Sequence, residues 1–202
     1  MNRERTVVPF RTESSLADFA VITEGGPRAA ALLFDRFGGD VNGWVRRLLG
    51  NDADHDDLVQ EIMLAALKAV KTVNDPSKLR SWLRRITINR VRMEMRRRKS
   101  RRRNDHREFV DERFEGATAR EDKIAQRDLL RAAYAAIEQL PVDERIAFIL
   151  RRIEGLSLDE VAENLGCSLA TAKRRLRKAI DRFNRLVADN PGLGTLIRED
   201  EP

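Results

Sequence analysis

The sequence holds a single cysteine, Cys167, and only two histidines, His55 and His106, in different segments. No internal disulfide can form, and no multi-cysteine metal site can be assembled. Aromatic residues make up 5% of the chain, which weighs against strands. No apolar run approaches the ~18 residues that a membrane span requires. The charged residues 1–10 lack the apolar centre of a signal peptide. Catalytic chemistry is missing too: there is no phosphate-binding glycine loop, no paired nucleophile and base, and no metal cluster. These absences leave a cytoplasmic protein expected to be no enzyme and to carry no cofactor.

What is present is helix-forming and charged. The 202 residues are 42% hydrophobic, so buried cores are affordable, and Leu, Ala, Arg, Glu and Asp dominate. Lys and Arg number 39 against 33 Asp and Glu, a net charge of +6. An anionic partner is suggested, and the distribution of charge along the chain says more than the total.

Residues 1–13 show no period and are expected to be disordered. Leu16, Phe19 and Ala20 mark a short helix stopped by Gly25, Gly26 and Pro27. Leu33, Phe37, Val41, Trp44 and Leu48 then recur in steps of four and three, an amphipathic stripe. Gly38, Gly39 and Gly43 each weaken that helix by up to ~1 kcal/mol relative to alanine, so packing must hold it. The acids Asp52, Asp54, Asp56 and Asp57 open a third helix, where they complement its dipole, and Val59, Met63, Ala66 and Val70 form its buried face. Asn74, Asp75 and Pro76 make a turn, and Ser77 is the expected N-cap of a fourth helix lined by Leu79, Leu83, Ile86, Arg90 and Met93.

From Arg84 to Arg103 there are eleven basic residues and one acid, Glu94. Such a block repels itself and binds polyanions. Trp82, Thr87 and Asn89 at its start add stacking and hydrogen-bonding groups suited to separated bases, although the spacing of Trp82 from Ile86 also fits a core position. Periodicity then dissolves over residues 104–122, where acids predominate; this reads as a flexible linker between two domains.

The second domain begins with Leu130, Ala133, Ile137 and Leu140, stopped by Pro141, then Ile146, Ile149, Leu150 and Ile153, ended by Gly155. Ser157-Leu158-Asp159-Glu160 is a capping box. Val161, Ala162 and Leu165 form the inner face of its helix, and Gly166 sits where the chain must leave it in a left-handed conformation. Ser168 caps the next helix, with Leu169, Ala172, Leu176, Ala179, Ile180 and Phe183 inward and Lys173, Arg174, Arg177, Lys178 and Arg182 outward. A braced, basic second helix after a glycine turn is what major-groove insertion requires. The fold is therefore expected to be all-α, with domains at residues 14–103 and 123–187 and a tail at 188–202.

Four segments carry a resemblance: Asp57-Leu58-Val59-Gln60-Glu61; residues 79–89 with the sequence LRSWLRRITIN; residues 140–145, LPVDER; and residues 154–162, EGLSLDEVA. In this order and spacing they resemble the extracytoplasmic-function (ECF) alternative sigma factors of bacterial RNA polymerase. The resemblance spans residues 16–186. It implies that Asp57, Leu58, Gln60 and Glu61 bind core polymerase at the clamp helices of its largest subunit, with Leu58 and Val59 packing behind. It implies that Ser77, Lys78, Trp82, Arg85, Asn89 and Arg90 meet the minus-ten element, Asn89 at an extruded base. Ser168, Thr171, Lys173, Arg174, Arg177 and Lys178 would meet the minus-thirty-five element. Further implied partners are the flap of the second-largest subunit and an anti-sigma protein. Ala170-Thr171-Ala172 departs from the family's usual Gly-Thr-Val, and Arg174 from a frequent Ser, so the upstream promoter preference is not transferable. The competing reading is a free-standing helix-turn-helix regulator that binds operators without polymerase. That reading needs a dimerisation or ligand-sensing domain in place of the arginine-rich helix.

Overall fold

Two glycines and a proline set the first corner of the chain. Gly25 and Gly26 both take positive φ, 86° and 89°, a region that side chains with a β-carbon avoid. They separate α1 (Glu13–Glu24) from α2 (Pro27–Leu49), which Pro27 opens in the first turn, where its missing N–H costs nothing. The structure, a computed structural model, describes residues 13–50, 54–104 and 121–188. Among the described residues there is no strand, and the remaining α-helices are α3 (His55–Ala69), α4 (Leu79–Asn104), α5 (Glu121–Glu138), α6 (Val142–Phe148), α7 (Leu158–Leu165) and α8 (Leu169–Leu186). The chain divides into two compact units, at Val91 and Arg92 within α4. Two helical units are what the sequence implies, but this division falls inside α4, ahead of the linker expected at residues 104–122. Nearly all of the N-terminal segment, the linker and the tail lies outside the described residues.

In the first unit α2 supplies the spine. Leu33, Phe37, Val41, Trp44 and Leu48 are all buried, as their spacing requires. They pack along α3, whose Leu58, Val59, Ile62, Met63 and Ala66 face inward. His55, buried at the start of α3, has Nε2 within hydrogen-bond reach of Asn42 Oδ1 on α2, which ties the two helices where they turn. In α1 the anchor is Ile22, fully buried, whereas Ala20, expected inward, is exposed.

The setting of α4 comes from an interaction that hydrophobic periodicity does not encode. Arg80 and Arg84, one turn apart on α4, each place a guanidinium 5.4 Å from the centre of the Trp44 ring on α2. Arg80 also grips Asp40 on α2 with two parallel bonds, Nε to Oδ2 at 2.7 Å and Nη2 to Oδ1 at 2.9 Å. With α4 so turned, its inward residues are Leu79, Leu83, Arg84, Thr87, Ile88, Val91 and Met95. The expected line through Ile86, Arg90 and Met93 is a genuine helical line that faces outward: Arg90 is exposed, Ile86 is half-buried, and Met93 is 65% exposed. The turn before α4 also differs from expectation. Asp75, not Ser77, is the cap; its Oδ1 accepts from Ser77 N–H at 2.9 Å and from Ser77 Oγ at 2.7 Å. The single-turn 3₁₀ helix Pro76–Lys78 lies between this cap and α4.

The second unit is built on α8, which packs against α6 and α7. The rings of Phe148 and Phe183 stack with centroids 4.9 Å apart, and Ile146, Ile149, Val161, Ala172 and Ala179 are buried in the same unit. Small Ala162 and Ala172, both buried, let the helices approach closely. After α6 the chain passes through a π-helical turn, Ile149–Ile153, where Glu154 N–H donates to Ile149 O at 3.0 Å. The extra residue in that turn rotates Ile153 off the inner line, leaving it 40% exposed against expectation. Leu130, also expected inward, is 50% exposed; Ala136, Ile137 and Leu140 are the residues by which this end of the unit is anchored.

Two outcomes test this packing. Gly39 lies in the body of α2, and a β-carbon there would meet nothing within 4 Å; Gly39→Ala should therefore stabilise the protein by ~0.5–1 kcal/mol in urea denaturation. Arg80→Ala should cost about 1–2 kcal/mol, from loss of the ring contact and the partly exposed ion pair. Adding Asp40→Ala to that variant should cost little more, because the two changes remove one shared interaction. Full additivity in that cycle would show that the pair contributes nothing.

Candidate nucleic-acid interface

Once α4 is fixed by Trp44, the residues left outside form a ridge. Trp82, Ile86, Asn89 and Met93 follow one another at spacings of four, three and four, so they share one face of the helix. Trp82 and Ile86 are half-buried, while Asn89 and Met93 are exposed. Arg85 and Arg90 flank the ridge, both exposed, and neither makes an ion pair among the described residues. Ser77 and Lys78 are exposed just before its start. Of the six residues expected at the minus-ten element, Ser77 and Lys78 thus lie exposed in the turn before α4, Arg85, Asn89 and Arg90 lie exposed on α4, and Trp82 is half-buried there. Met93 extends their line, a residue that the sequence places on a helical line with Leu79 and Leu83 but not among the candidate site residues.

Farther along α4 the charges are handled differently. Glu94 accepts from Arg97 Nε at 2.7 Å and from Arg98 Nε at 2.8 Å, so the one acid of the stretch is clasped by two arginines. Burial alone would raise the Glu94 carboxyl, but the two hydrogen bonds and the adjacent positive charges outweigh it and hold the pKa below the usual value. The acid therefore remains ionised and locally offsets the self-repulsion of the basic run. Arg96 keeps 62% and Arg97 54% of its side chain exposed, so the run still presents cations outward.

On α3 the exposed line begins with Asp57, Gln60 and Glu61. Leu58 is only 7% exposed, so it supports this surface from behind instead of touching a partner. The line continues through Leu64, 58% exposed, and Lys68, which the sequence reading had not picked out. Leu64 is the one large apolar group on this otherwise polar face. Its spacing of four from Gln60 and three from Glu61 was the available signal.

The helix-turn-helix is built as its sequence dictates. Glu160 N–H donates to Ser157 Oγ at 3.2 Å while Ser157 N–H donates to Glu160 Oε2 at 2.9 Å, closing the capping box. Gly166 sits at φ 60°, ψ 43°, the left-handed conformation that ends α7. Thr171 N–H donates to Ser168 Oγ at 3.3 Å, and Ser168 Oγ donates to Thr171 Oγ1 at 3.0 Å. Ser168 and Thr171 are thereby committed to capping α8, which limits what else their hydroxyls can do.

The cations of α8 sort into two groups. Arg175 reaches Asp143 at 3.1 Å and Arg182 reaches Glu144 at 2.9 Å, ties that lock α8 to α6. Lys173, Arg174, Arg177 and Lys178 are exposed, and none has an ion-pair partner among the described residues. Leu169, expected inward, is 37% exposed beside them at the first position of the helix. No group of histidine, cysteine and carboxylate side chains that could hold a metal occurs among the described residues. None of their helices is long and apolar enough to cross a membrane.

Family models match the chain twice, Sigma-70 region 2 over residues 33–101 and Sigma-70 region 4 over residues 130–183. The chain is 30% identical to the RNA polymerase sigma-H factor of Pseudomonas aeruginosa over 80% of its own length and 89% of that protein's. It is 27% identical to the ECF RNA polymerase sigma-E factor of Haemophilus influenzae, over 78% and 87%. Among solved structures it is similar to CnrH in complex with the cytosolic domain of CnrY, with a TM-score of 0.57 and 26% identity, covering 86% of this chain and 97% of that one. Both exposed cationic faces fall within the two matched regions, and the chain belongs to the sigma-70 family as an RNA polymerase sigma factor of the extracytoplasmic-function type.

Proposed function

We propose that the ridge on α4 reads the minus-ten element and that the unpaired cations of α8 read the minus-thirty-five element, while the α3 face holds core polymerase. The observation that carries this reading is the sorting of charges. Arg175, Arg182, Arg97 and Arg98 are tied to acids, whereas Arg85, Arg90, Lys173, Arg174, Arg177 and Lys178 are exposed and make no ion pair among the described residues. Cations left open on a helix surface favour phosphates and base edges. Asn89 is the one side-chain amide on the α4 ridge and offers both a donor and an acceptor, as reading an extruded base requires.

The functional modules run over residues 14–103 and 123–187 and act in the cytoplasm. Two small DNA-binding modules on one chain gain affinity together only when a partner fixes their spacing. Core polymerase is that partner, held through Asp57, Gln60 and Glu61 with Leu64 as the apolar contact among them. The flap of the second-largest subunit is the expected partner of the second module. CnrH is solved with a bound protein ligand, which supports an anti-sigma protein as a further partner of this chain.

Two experiments test these assignments. Asp57→Ala with Gln60→Ala should abolish association with core polymerase at unchanged helical content, measured by co-purification and far-ultraviolet circular dichroism; wild-type affinity in that variant would remove α3 from the interface. Replacing Arg174 or Arg177 should cost ~1–3 kcal/mol and relax preference at one upstream position in a promoter library. Asn89→Ala should instead alter preference at the minus-ten element and lower the yield of open complex. Uniform losses across all promoters from all three variants would mean that they grip only the backbone.

A further inference from the structure

Met93 is 65% exposed, more than any other large apolar side chain described in the protein. Exposed methionines can be incidental, but the placement of this one is specific. It lies at the far end of the α4 ridge, four residues beyond Asn89 and three beyond Arg90, while Val91 and Met95 on either side of it in sequence face inward. Arg90, exposed and without an ion pair among the described residues, lies one turn before it, and Arg96 and Arg97 follow one turn after it, 62% and 54% exposed although they pair with Asp143 and Glu94. An apolar side chain is thus displayed beside exposed guanidinium groups, of which that of Arg90 makes no ion pair among the described residues.

The occupant of that surface follows from its shape and charge. Met93 stands on the body of a continuous helix, not on a loop or at a helix end. An α-helix fits the major groove of duplex DNA, and an open arginine such as Arg90 suits a phosphate beside it. Within that groove the bases are stacked, and the one apolar group they present is the C5-methyl of thymine. A methionine, long and polarisable with three rotatable bonds, can reach and cover such a methyl. Four residues of helix rise ~6 Å, about two base-pair steps at 3.4 Å each, so the contacted pair is one or two steps into the duplex from the base met by Asn89.

We propose that Met93 is a specificity residue that recognises the C5-methyl of one thymine in the duplex bordering the minus-ten element. The proposal rests on the reading of α4 as the minus-ten ridge, and it adds a contact to that reading.

The test uses holoenzyme reconstituted from core polymerase and the full chain, on a promoter selected from a library by the wild-type holoenzyme. Each thymine in and just upstream of the minus-ten element is replaced singly by uracil, which lacks the C5-methyl. At one duplex position wild-type open-complex formation should fall about fourfold, the factor expected for losing one buried methyl group. Met93→Ala should lose a similar factor on the thymine promoter and become indifferent to uracil at that position alone. Met93→Leu should retain the wild-type response. Circular dichroism should be unchanged, since the side chain is exposed. The proposal is overturned if wild-type holoenzyme responds to uracil at no duplex position, or if Met93→Ala keeps the wild-type uracil profile. Absence of promoter-specific transcription by wild-type holoenzyme would instead sink the reading of α4 as a whole.

Discussion

The functional surface of the first unit depends on one contact, the Trp44 ring of α2 beneath Arg80 and Arg84 of α4. A helix as rich in arginine as α4 has no single apolar stripe to fix its rotation. Leu79, Leu83, Ile86 and Met93 mark one line, whereas Ile88, Val91 and Met95 mark another. Burying the second line leaves the first, from Ile86 onward, at the surface. The guanidinium groups over Trp44, with Asp40 holding Arg80, decide between them. They do so without using up Arg85 or Arg90, which lie on the opposite side. A structural role for some arginines is therefore the condition for an open role for the others.

The second unit solves the same problem with acids. Asp143 and Glu144 on α6 take Arg175 and Arg182, and Phe148 of α6 stacks on Phe183 of α8. Helix α8 is thereby fixed with its remaining cations turned outward. Such ion pairs add little stability where they are exposed. Their effect is to set which side of a strongly amphipathic helix is free. Glu94 acts similarly within α4, where it offsets two arginines and leaves their neighbours open.

Much of this was legible in the sequence, for reasons that differ by element. The α2 stripe has one apolar face, so periodicity alone placed it. The capping box at Ser157 and Glu160 and the left-handed Gly166 are local devices, whose backbone geometry is written in adjacent residue types. The rotation of α4 was not legible, because it is set by Asp40 and Trp44, about forty residues away. Hence Met93, on one helical line with the buried Leu79 and Leu83, is exposed, and the cap expected at Ser77 is provided by Asp75. The outward turn of Ile153 escaped as well, since a π-helical residue breaks the period on which such counting relies. Leu64 was not legible as a surface group, because an apolar residue in α3 reads equally well as core. Exposure of an apolar residue is a property of the folded surface and not of its spacing.

The central claim is that two faces, one on α4 and one on α8, touch promoter DNA at separate places under the control of polymerase. Its most direct test is site-specific photocrosslinking from positions 89 and 174 to end-labelled promoter DNA, with and without core polymerase. The account predicts two crosslinks that require core, the one from position 89 near the melted segment and the one from position 174 upstream in duplex. Equal crosslinking of both positions to a single short site by the protein alone would contradict it and would favour an operator-binding regulator.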